Sequence, residues 1–168
     1  MAEIRKAVSE DVPFIVEIIS AATAYFRSRG IDQWQRGYPN AESVRKDIAD
    51  GTGYVLVENG EVTGTCCISF DTDPNYAVIE NGNWLNDEPY GVIHRIALRP
   101  DRKGKHLADQ FILQAHKMAE ERRIKNLRAD THADNHSMQR LLERNGFVPC
   151  GRVYVGEHEP RIAYQKKC

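Results

Sequence analysis

The chain reads VIHRIALRPDRKGKHLA from Val92 to Ala108. The first part of this stretch is apolar and β-branched and predicts a strand. The second part, residues 99–108, begins with a run rich in lysine and arginine, which predicts a basic turn. From Leu107 to Ala119, apolar residues recur at the spacing of one helix face. The unpaired N–H groups of a first helical turn attract anions. A strand, a basic turn and a helix N-terminus together predict an anion-binding site.

Length and charge indicate one globular domain over residues 1–168. The 23 Lys and Arg residues nearly balance the 24 Asp and Glu residues, for a formal net charge of −1. This balance argues against a general affinity for nucleic acids or membranes, so anion binding must be local. The first residues lack a signal peptide's apolar segment, and no apolar run approaches the roughly 18 residues that span a bilayer. We therefore expect a cytoplasmic protein.

The remaining elements follow from periodicity and turn residues. Asn59-Gly60 between two β-rich runs predicts a hairpin, and Tyr76–Ile79 has the composition of a further short strand. Asp134 or Asn135 is the expected cap of a late helix. The predicted order is β-α-α-β-β-β-α-β-α-β-β, which indicates a mixed α/β (α+β) fold with flanking helices and one mostly antiparallel sheet.

A loop at residues 29–39 mixes aromatic rings, amides and glycines without periodicity. This composition is typical of a shaped loop over a pocket, and Gln33, Trp34 and Tyr38 are its candidate substrate residues. Packing of the rings against the core is the alternative.

The four cysteines do not predict a metal site. Cys66 and Cys67 are adjacent, Cys150 and Cys168 stand alone, and no Cys or His spacing is that of a zinc ligand set. We interpret them as buried reduced thiols, with a cysteine nucleophile as the alternative. No metal is expected.

The element order and the basic turn resemble the GNAT superfamily of acetyl-CoA-dependent N-acetyltransferases over nearly the whole chain. In that family the turn reads Gln/Arg-x-x-Gly-x-Gly/Ala, and its amides bind the coenzyme A pyrophosphate. The matching residues here are Lys103, Gly104, Lys105, His106, Leu107 and Ala108. Lys103 replaces Gln/Arg, and His106 replaces the central glycine, where a right-handed helical backbone would accommodate it. The resemblance implies acetyl-CoA as cofactor, with Arg99 and Arg102 adding positive charge; a solvated basic turn is the alternative.

A second family signature runs from Asn135 to Phe147. It implies that Asn135 belongs to the cofactor site. Family members often carry a tyrosine that protonates the departing thiolate, but Leu142 stands at the matching position and cannot donate a proton. Members are often dimers, so a homodimer is possible.

Acetyl transfer to an amine requires a base, because an alkyl amine with a pKa of ~10 is mostly protonated at neutral pH. His94 is the first candidate, since Val92, His94, Ile96 and Leu98 alternate to one strand face. His132, at the end of the fifth strand, is the second, with Asp130 on its face; either histidine has a structural role as its alternative. Arg95 and Arg128 could pair with Asp130 or with an acidic substrate, and ordinary ion pairing is the favoured interpretation of both. Backbone N–H groups of Ile96, Ala97 and Leu98 could polarise the acetyl carbonyl.

Two functions follow. The first is an N-acetyltransferase that moves an acetyl group from acetyl-CoA to a primary amine of a small molecule or peptide. The second is a catalytically silent acyl-CoA-binding sensor or regulatory module, which Leu142 and His106 favour.

Overall fold

The structure is a computed structural model that describes residues 2–168. Seven strands and four α-helices occur there in the order that the sequence predicts. The elements are β1 Ala2–Lys6, α1 Val12–Ser28, α2 Ala41–Ala49, β2 Gly53–Glu58, β3 Glu61–Ser69, β4 Gly91–Leu98, α3 Asp109–Glu121, β5 Asn126–Thr131, α4 His136–Arg144, β6 Val148–Val155 and β7 Glu159–Lys167.

The strands are arranged in the order β1-β2-β3-β4-β5-β7-β6. The pairs β1–β2, β2–β3, β5–β7 and β6–β7 are antiparallel. In contrast, β4 and β5 are parallel, with Gly91 opposite Leu127 and Val92 opposite Arg128. Parallel neighbours need a crossover connection, and α3 lies between these two strands in the chain. The predicted mixed α/β fold with a mostly antiparallel sheet is confirmed.

Contacts between Cα atoms divide the chain into two compact units. The first unit contains the chain up to Ile68 together with Arg95–Phe111, and the second contains Ser69–His94 and Ile112–Cys168. The division falls inside β4 and inside α3. The single domain over residues 1–168 stays a prediction.

The first unit has its core between its two helices and its hairpin. Val12, Ile15 and Ile19 of α1 are buried together with Val44 of α2 and Val55 of β2. Apolar surface removed from water in this way is the main stabilising contribution to such a unit. The hairpin turn has φ +50° at residue 59 and +79° at residue 60, which confirms the predicted turn with two left-handed residues.

The second unit has its core around Tyr76, which is 2% exposed. Tyr76 clusters with Val92 of β4, Val153 of β6 and Ala163 of β7. Leu142 of α4 is also completely buried. This side chain, which stands at the position of the family's tyrosine, is therefore part of the core.

Two local predictions are wrong. Residues 76–79 do not form a strand; a 3-10 turn occupies Pro74–Tyr76, because Pro74 fixes φ and lacks an N–H for a ladder. The helix after the basic turn begins at Asp109 rather than Leu107. Gly104 and His106 have φ +80° and +56°, and these values are incompatible with a right-handed helix. Across residues 2–168, no helix has both the length and the apolar character that a membrane crossing requires.

Candidate functional site

In the first unit, β4 leads into the basic turn, which we define as residues 99–108. Two cations of this turn are paired with carboxylates. Arg99 Nε donates to Asp101 Oδ1 at 2.6 Å, and Arg102 Nε donates to Glu58 Oε1 at 3.0 Å. The hydrogen bond from Arg102 holds the pKa of the Glu58 carboxyl below its ordinary value. Arg99 and Arg102 are therefore each paired with a carboxylate, and their contribution of positive charge to a phosphate site stays a prediction.

Lys103 and Lys105 keep their charge available. Neither forms an ion pair with any of residues 2–168. The Lys103 Nζ lies 4.0 Å from the centroid of the Tyr25 ring, a cation–π contact, and partial burial lowers the pKa of this ammonium. Lys105 is exposed. The positive charge of the basic turn thus comes from these two lysines.

The backbone of the basic turn offers unpaired donors. Across the described chain, the N–H groups of Gly104 to Ala108 donate no hydrogen bond to another protein group. No atom lies within 4 Å of the position that a Cβ on Gly104 would take. Unpaired amides in a turn before a helix are the donors that bind phosphate groups. The residues present therefore fit a cofactor that carries a pyrophosphate.

His106 occupies a strained position in this turn. Its φ of +56° lies in the left-handed region, which costs an L-residue other than glycine roughly 1–2 kcal/mol. The expected right-handed helical backbone at His106 is therefore wrong, and the glycine of the family pattern would relieve the strain. The ring itself is 69% exposed, and its Nδ1 lies 3.7 Å from Asp109 Oδ2.

The second half of β4 contains Ile96, Ala97 and Leu98. Arg95, directly before them, has φ +53°, whereas a regular strand residue lies near about −120° to −140°. A left-handed residue inside a strand interrupts the ladder and redirects the side chains that follow. The predicted alternation of four side chains to one face therefore does not continue through β4. The cofactor roles of Ile96, Ala97 and Leu98 stay predictions.

The predicted acceptor residues lie in the loop between α1 and α2. Trp34 packs edge-on against Phe26, with ring centroids 5.5 Å apart, and Gln33 is only 8% exposed. Tyr38 is 52% exposed, and its hydroxyl accepts a hydrogen bond from Arg95 Nη1. Core packing, the alternative interpretation of this loop, thus describes Trp34, while Tyr38 is accessible to a ligand.

In the second unit, His94 lies in a polar cluster with Asp73, Tyr76 and Asp130, which we call the His94 cluster. His94 Nε2 is 3.4 Å from Asp73 Oδ2, and the side chain is 25% exposed. The Tyr76 hydroxyl donates to Asp130 Oδ2 at 2.6 Å. Partial burial raises the pKa of the Asp130 carboxyl, although the hydrogen bond from Tyr76 opposes this shift. His94 is thus a partly exposed imidazole backed by a carboxylate.

His132 has a different environment. Its Nδ1 accepts a hydrogen bond from the Asp134 N–H at 3.0 Å. A ring nitrogen that accepts carries no proton, so the proton of neutral His132 is on Nε2. His132 would have to break this bond before it could accept a proton. Asp130 bonds to Tyr76, and among residues 2–168 it forms no hydrogen bond or ion pair with His132.

Asn135 is the residue that caps α4. Its Oδ1 accepts the N–H of Met138 at 3.1 Å, and the side chain is 6% exposed. Of the two predicted caps, the structure therefore selects Asn135 and not Asp134. A role of Asn135 in cofactor binding stays a prediction.

The two arginines that were candidates for pairing with Asp130 have other partners. Arg95 Nη2 donates to Asp47 Oδ2. The Arg128 guanidinium carbon lies 4.1 Å from the ring centroids of both Trp84 and Tyr90. We call this arrangement the Arg128 clamp.

The cysteines are free thiols. Cys66, Cys67 and Cys150 are buried as expected, whereas Cys168 is exposed. Burial raises the pKa of the Cys66, Cys67 and Cys150 thiols, which disfavours the thiolate that a nucleophile requires. The described part of the chain also contains no group of three His, Cys, Asp or Glu side chains that could hold a metal ion.

Sequence reasoning did not identify Asp73 or Tyr90. Asp73 caps the 3-10 turn through Oδ1, which accepts the Asn75 N–H at 2.9 Å. An Asp before a proline is a known turn signal, and it could have indicated this cap. Nothing local predicts that Asp73 meets His94, because that contact joins distant parts of the chain.

Comparisons with known proteins agree with this geometry. The model of the acetyltransferase (GNAT) family matches residues 15–147. A GNAT family acetyltransferase from Streptococcus agalactiae 2603 is 34% identical, with a TM-score of 0.89, over 99% of this chain and 95% of that one. No curated protein matches the chain.

More distant structures share the fold. A GNAT family acetyltransferase from Listeria monocytogenes 4b F2365 has a TM-score of 0.75 at 22% identity, over 99% of this chain and 95% of that one. The PaiA N-acetyltransferase from Thermoplasma acidophilum, solved in complex with coenzyme A, has a TM-score of 0.73 at 17% identity, over 100% and 99%. The chain therefore belongs to the GNAT family of acetyltransferases and is an acyltransferase that depends on acetyl-CoA.

Proposed function

We propose that the protein is an N-acetyltransferase whose acceptor is a primary amine of a small molecule or peptide. The observation that carries this proposal is the pairing of His94 with Asp73, at 3.4 Å, in the first half of β4. An ammonium with a pKa of ~10 must lose a proton before its nitrogen can attack a thioester, so it needs a base that works near neutral pH. A partly exposed imidazole is the side chain best suited to that task.

His94 accepts the proton in this proposal. In this proposal Nε2, which is directed at Asp73, carries the proton of the neutral ring, and Nδ1 takes the proton of the ammonium. The imidazolium that forms is then stabilised by the Asp73 carboxylate. His132 remains the second candidate, but its Nδ1 is already occupied by the Asp134 N–H.

The basic turn binds the cofactor in this proposal. Lys103 and Lys105 supply the charge, and the backbone from Gly104 through His106 and Leu107 to Ala108 supplies the amides for the pyrophosphate. Acetyl-CoA brings the acetyl group as a reactive thioester. Backbone amides of Ile96, Ala97 and Leu98 are the proposed donors to the acetyl carbonyl. Asn135 is a further proposed cofactor contact.

Leu142 leaves no proton donor at the family's tyrosine position. A thiol with an ordinary pKa of ~8.5 is a good enough leaving group to depart as the thiolate near neutral pH. Turnover in this proposal therefore needs no general acid at that position. On the acceptor side, Tyr38 is the exposed contact, with Gln33 and Trp34 as the residues beside it in the loop.

Thiol release from acetyl-CoA across a library of amines tests the proposal. His94→Ala should lower kcat/KM by about 10²- to 10⁴-fold, the usual contribution of a general base. The loss should shrink toward pH ~10, where the amine itself is deprotonated. His116→Ala is a matched control, because His116 Nε2 also lies 3.4 Å from a carboxylate, that of Glu120, but on the surface of α3.

Three outcomes would contradict the proposal. Unchanged activity of His94→Ala would exclude His94 as the base, and an equal loss in His116→Ala would indicate a nonspecific effect. Acetyl-CoA binding by calorimetry without amine-dependent thiol release would instead support the silent sensor module. We further propose that the protein is cytoplasmic, forms a homodimer and has no nucleic-acid or membrane partners.

A further inference from the structure

We propose that Tyr90 is a positioning residue, whose hydroxyl holds Asp73 in place on His94 and whose ring is held by Arg128. This inference rests on the proposed function, in which His94 is the base. All of the residues involved lie in the second unit.

Contacts of its backbone and its side chain hold Asp73 beside His94. Its Oδ1 accepts the Asn75 N–H at 2.9 Å, and its own N–H donates to the Tyr90 hydroxyl at 3.0 Å. Its Oδ2 is then the oxygen that lies 3.4 Å from His94 Nε2. The Asn75 contact is local and belongs to the turn. The Tyr90 contact is the one that ties the Asp73 backbone to the first residues of β4, because Tyr90 directly precedes Gly91.

The Arg128 clamp fixes the ring of Tyr90. The Arg128 side chain lies between the rings of Tyr90 and Trp84, and the residue is only 4% exposed. Its other contacts are to neutral acceptors: Nε donates to Gln165 Oε1 at 3.3 Å and Nη2 to the Asn86 carbonyl at 2.8 Å. A buried cation with these neighbours gains much of its stabilisation from the two ring faces, so the rings have little freedom to move.

The second ring of the clamp reaches the other side of the His94 cluster. Trp84 Nε1 donates to the Tyr76 carbonyl at 2.9 Å, and the Tyr76 ring centroid lies 6.4 Å from that of His94. Arg128 thus begins two series of contacts, one through Tyr90 to Asp73 and one through Trp84 to Tyr76. Of these two, the series through Tyr90 ends on a charged partner of His94.

Ionisable groups face His94 from two segments: Asp73 from the loop and Tyr76 from the 3-10 turn. Asp130 of β5 lies behind Tyr76, and the charge of Arg161 acts on Asp130. Asp73 is a carboxylate 3.4 Å from His94 Nε2, so a change in its position should change how readily the His94 ring is protonated.

Tyr90→Phe removes the hydroxyl and keeps the ring on Arg128. Histidine NMR titration of the free enzyme should then show His94 protonating at a lower pH, because the carboxylate that favours the imidazolium is less well held. In the pH profile of kcat/KM, the acidic limb should move in the same direction. The value of kcat should fall by about tenfold, a fraction of a general base's full effect, with KM for acetyl-CoA unchanged. Tyr154→Phe is the matched control, because Tyr154 lies on β6 and its hydroxyl also forms one hydrogen bond to an acid residue, donating to Glu80 Oε1 at 3.1 Å.

A double-mutant cycle decides whether Tyr90 acts through Asp73. In the Asp73→Asn background, Tyr90→Phe should not shift the His94 titration further. An unshifted titration in Tyr90→Phe alone, or a shift that persists in the Asp73→Asn background, would overturn the inference. Full activity of His94→Ala would refute the proposed base, but the NMR titration would still test the positioning of Asp73 by Tyr90.

Discussion

The cap of α4 allows a stability prediction that also bears on cofactor binding. Asn135 Oδ1 accepts the Met138 N–H at 3.1 Å, and the side chain is 6% exposed. Asn135→Ala leaves this N–H without its partner in a place that water reaches poorly. Loss of an N-cap costs about 0.5–2 kcal/mol, and burial places this one in the upper half of that range.

Urea denaturation of the free enzyme, followed by circular dichroism, measures the effect. We expect Asn135→Ala to be less stable by about 1–2 kcal/mol, which lowers Tm by about 2–8 °C in a protein of this size. Asp134→Ala is the control, because that carboxylate is 64% exposed and its side chain does not cap the helix. We expect its stability to change by less than about 0.5 kcal/mol.

A third variant separates the cap from the proposed cofactor contact. Asn135→Ser keeps a side-chain oxygen that can cap, so it should recover most of the stability. If Asn135 also contacts acetyl-CoA, calorimetry should show that affinity remains reduced in Asn135→Ser. Equal unfolding midpoints for Asn135→Ala and the unmodified protein, or an equal loss in Asp134→Ala, would refute the capping argument.

Two further predictions concern packing and pH. A Cβ on Gly64 would lie 2.9 Å from Leu98 Cδ2 and 3.2 Å from the Phe111 ring, so Gly64→Ala should cost about 1–3 kcal/mol. Gly53→Ala, whose nearest contact is 3.4 Å, should be nearly neutral in urea denaturation. Burial raises the pKa of Asp130 above its ordinary 3.8. The stability that Asp130 contributes is therefore present below pH 3.8 and is lost as the pH rises through the pKa of Asp130 in the folded protein. Asp130→Asn keeps an acceptor for the Tyr76 hydroxyl and has no charge, so its stability relative to the unmodified protein should increase as pH rises from 4 to 8; parallel pH profiles would contradict this.

Particular residues show where sequence reasoning succeeds. Asn59-Gly60 predicts the hairpin because two left-handed residues match the twist of the paired strands. The lysines of the basic turn were identified because the pattern around them is local to a strand, a turn and a helix. His106 shows the limit of such reasoning, because its residue type does not reveal that its φ is left-handed.

Local sequence patterns predict the order of the elements and the location of the basic turn, because hydrophobic periodicity, caps and turn residues act between near neighbours in the chain. The family was indicated by the resemblance of the motifs. Three features required the folded chain: the carboxylate partner of His94, the bond between His132 Nδ1 and the Asp134 N–H, and the pairing of the arginines in the basic turn. The Asp73 and Tyr90 contacts join separate segments, and such partners depend on distances in the folded chain. Residues 92–108 thus indicated which chemistry to expect, while contacts in the folded chain showed which side chains have partners.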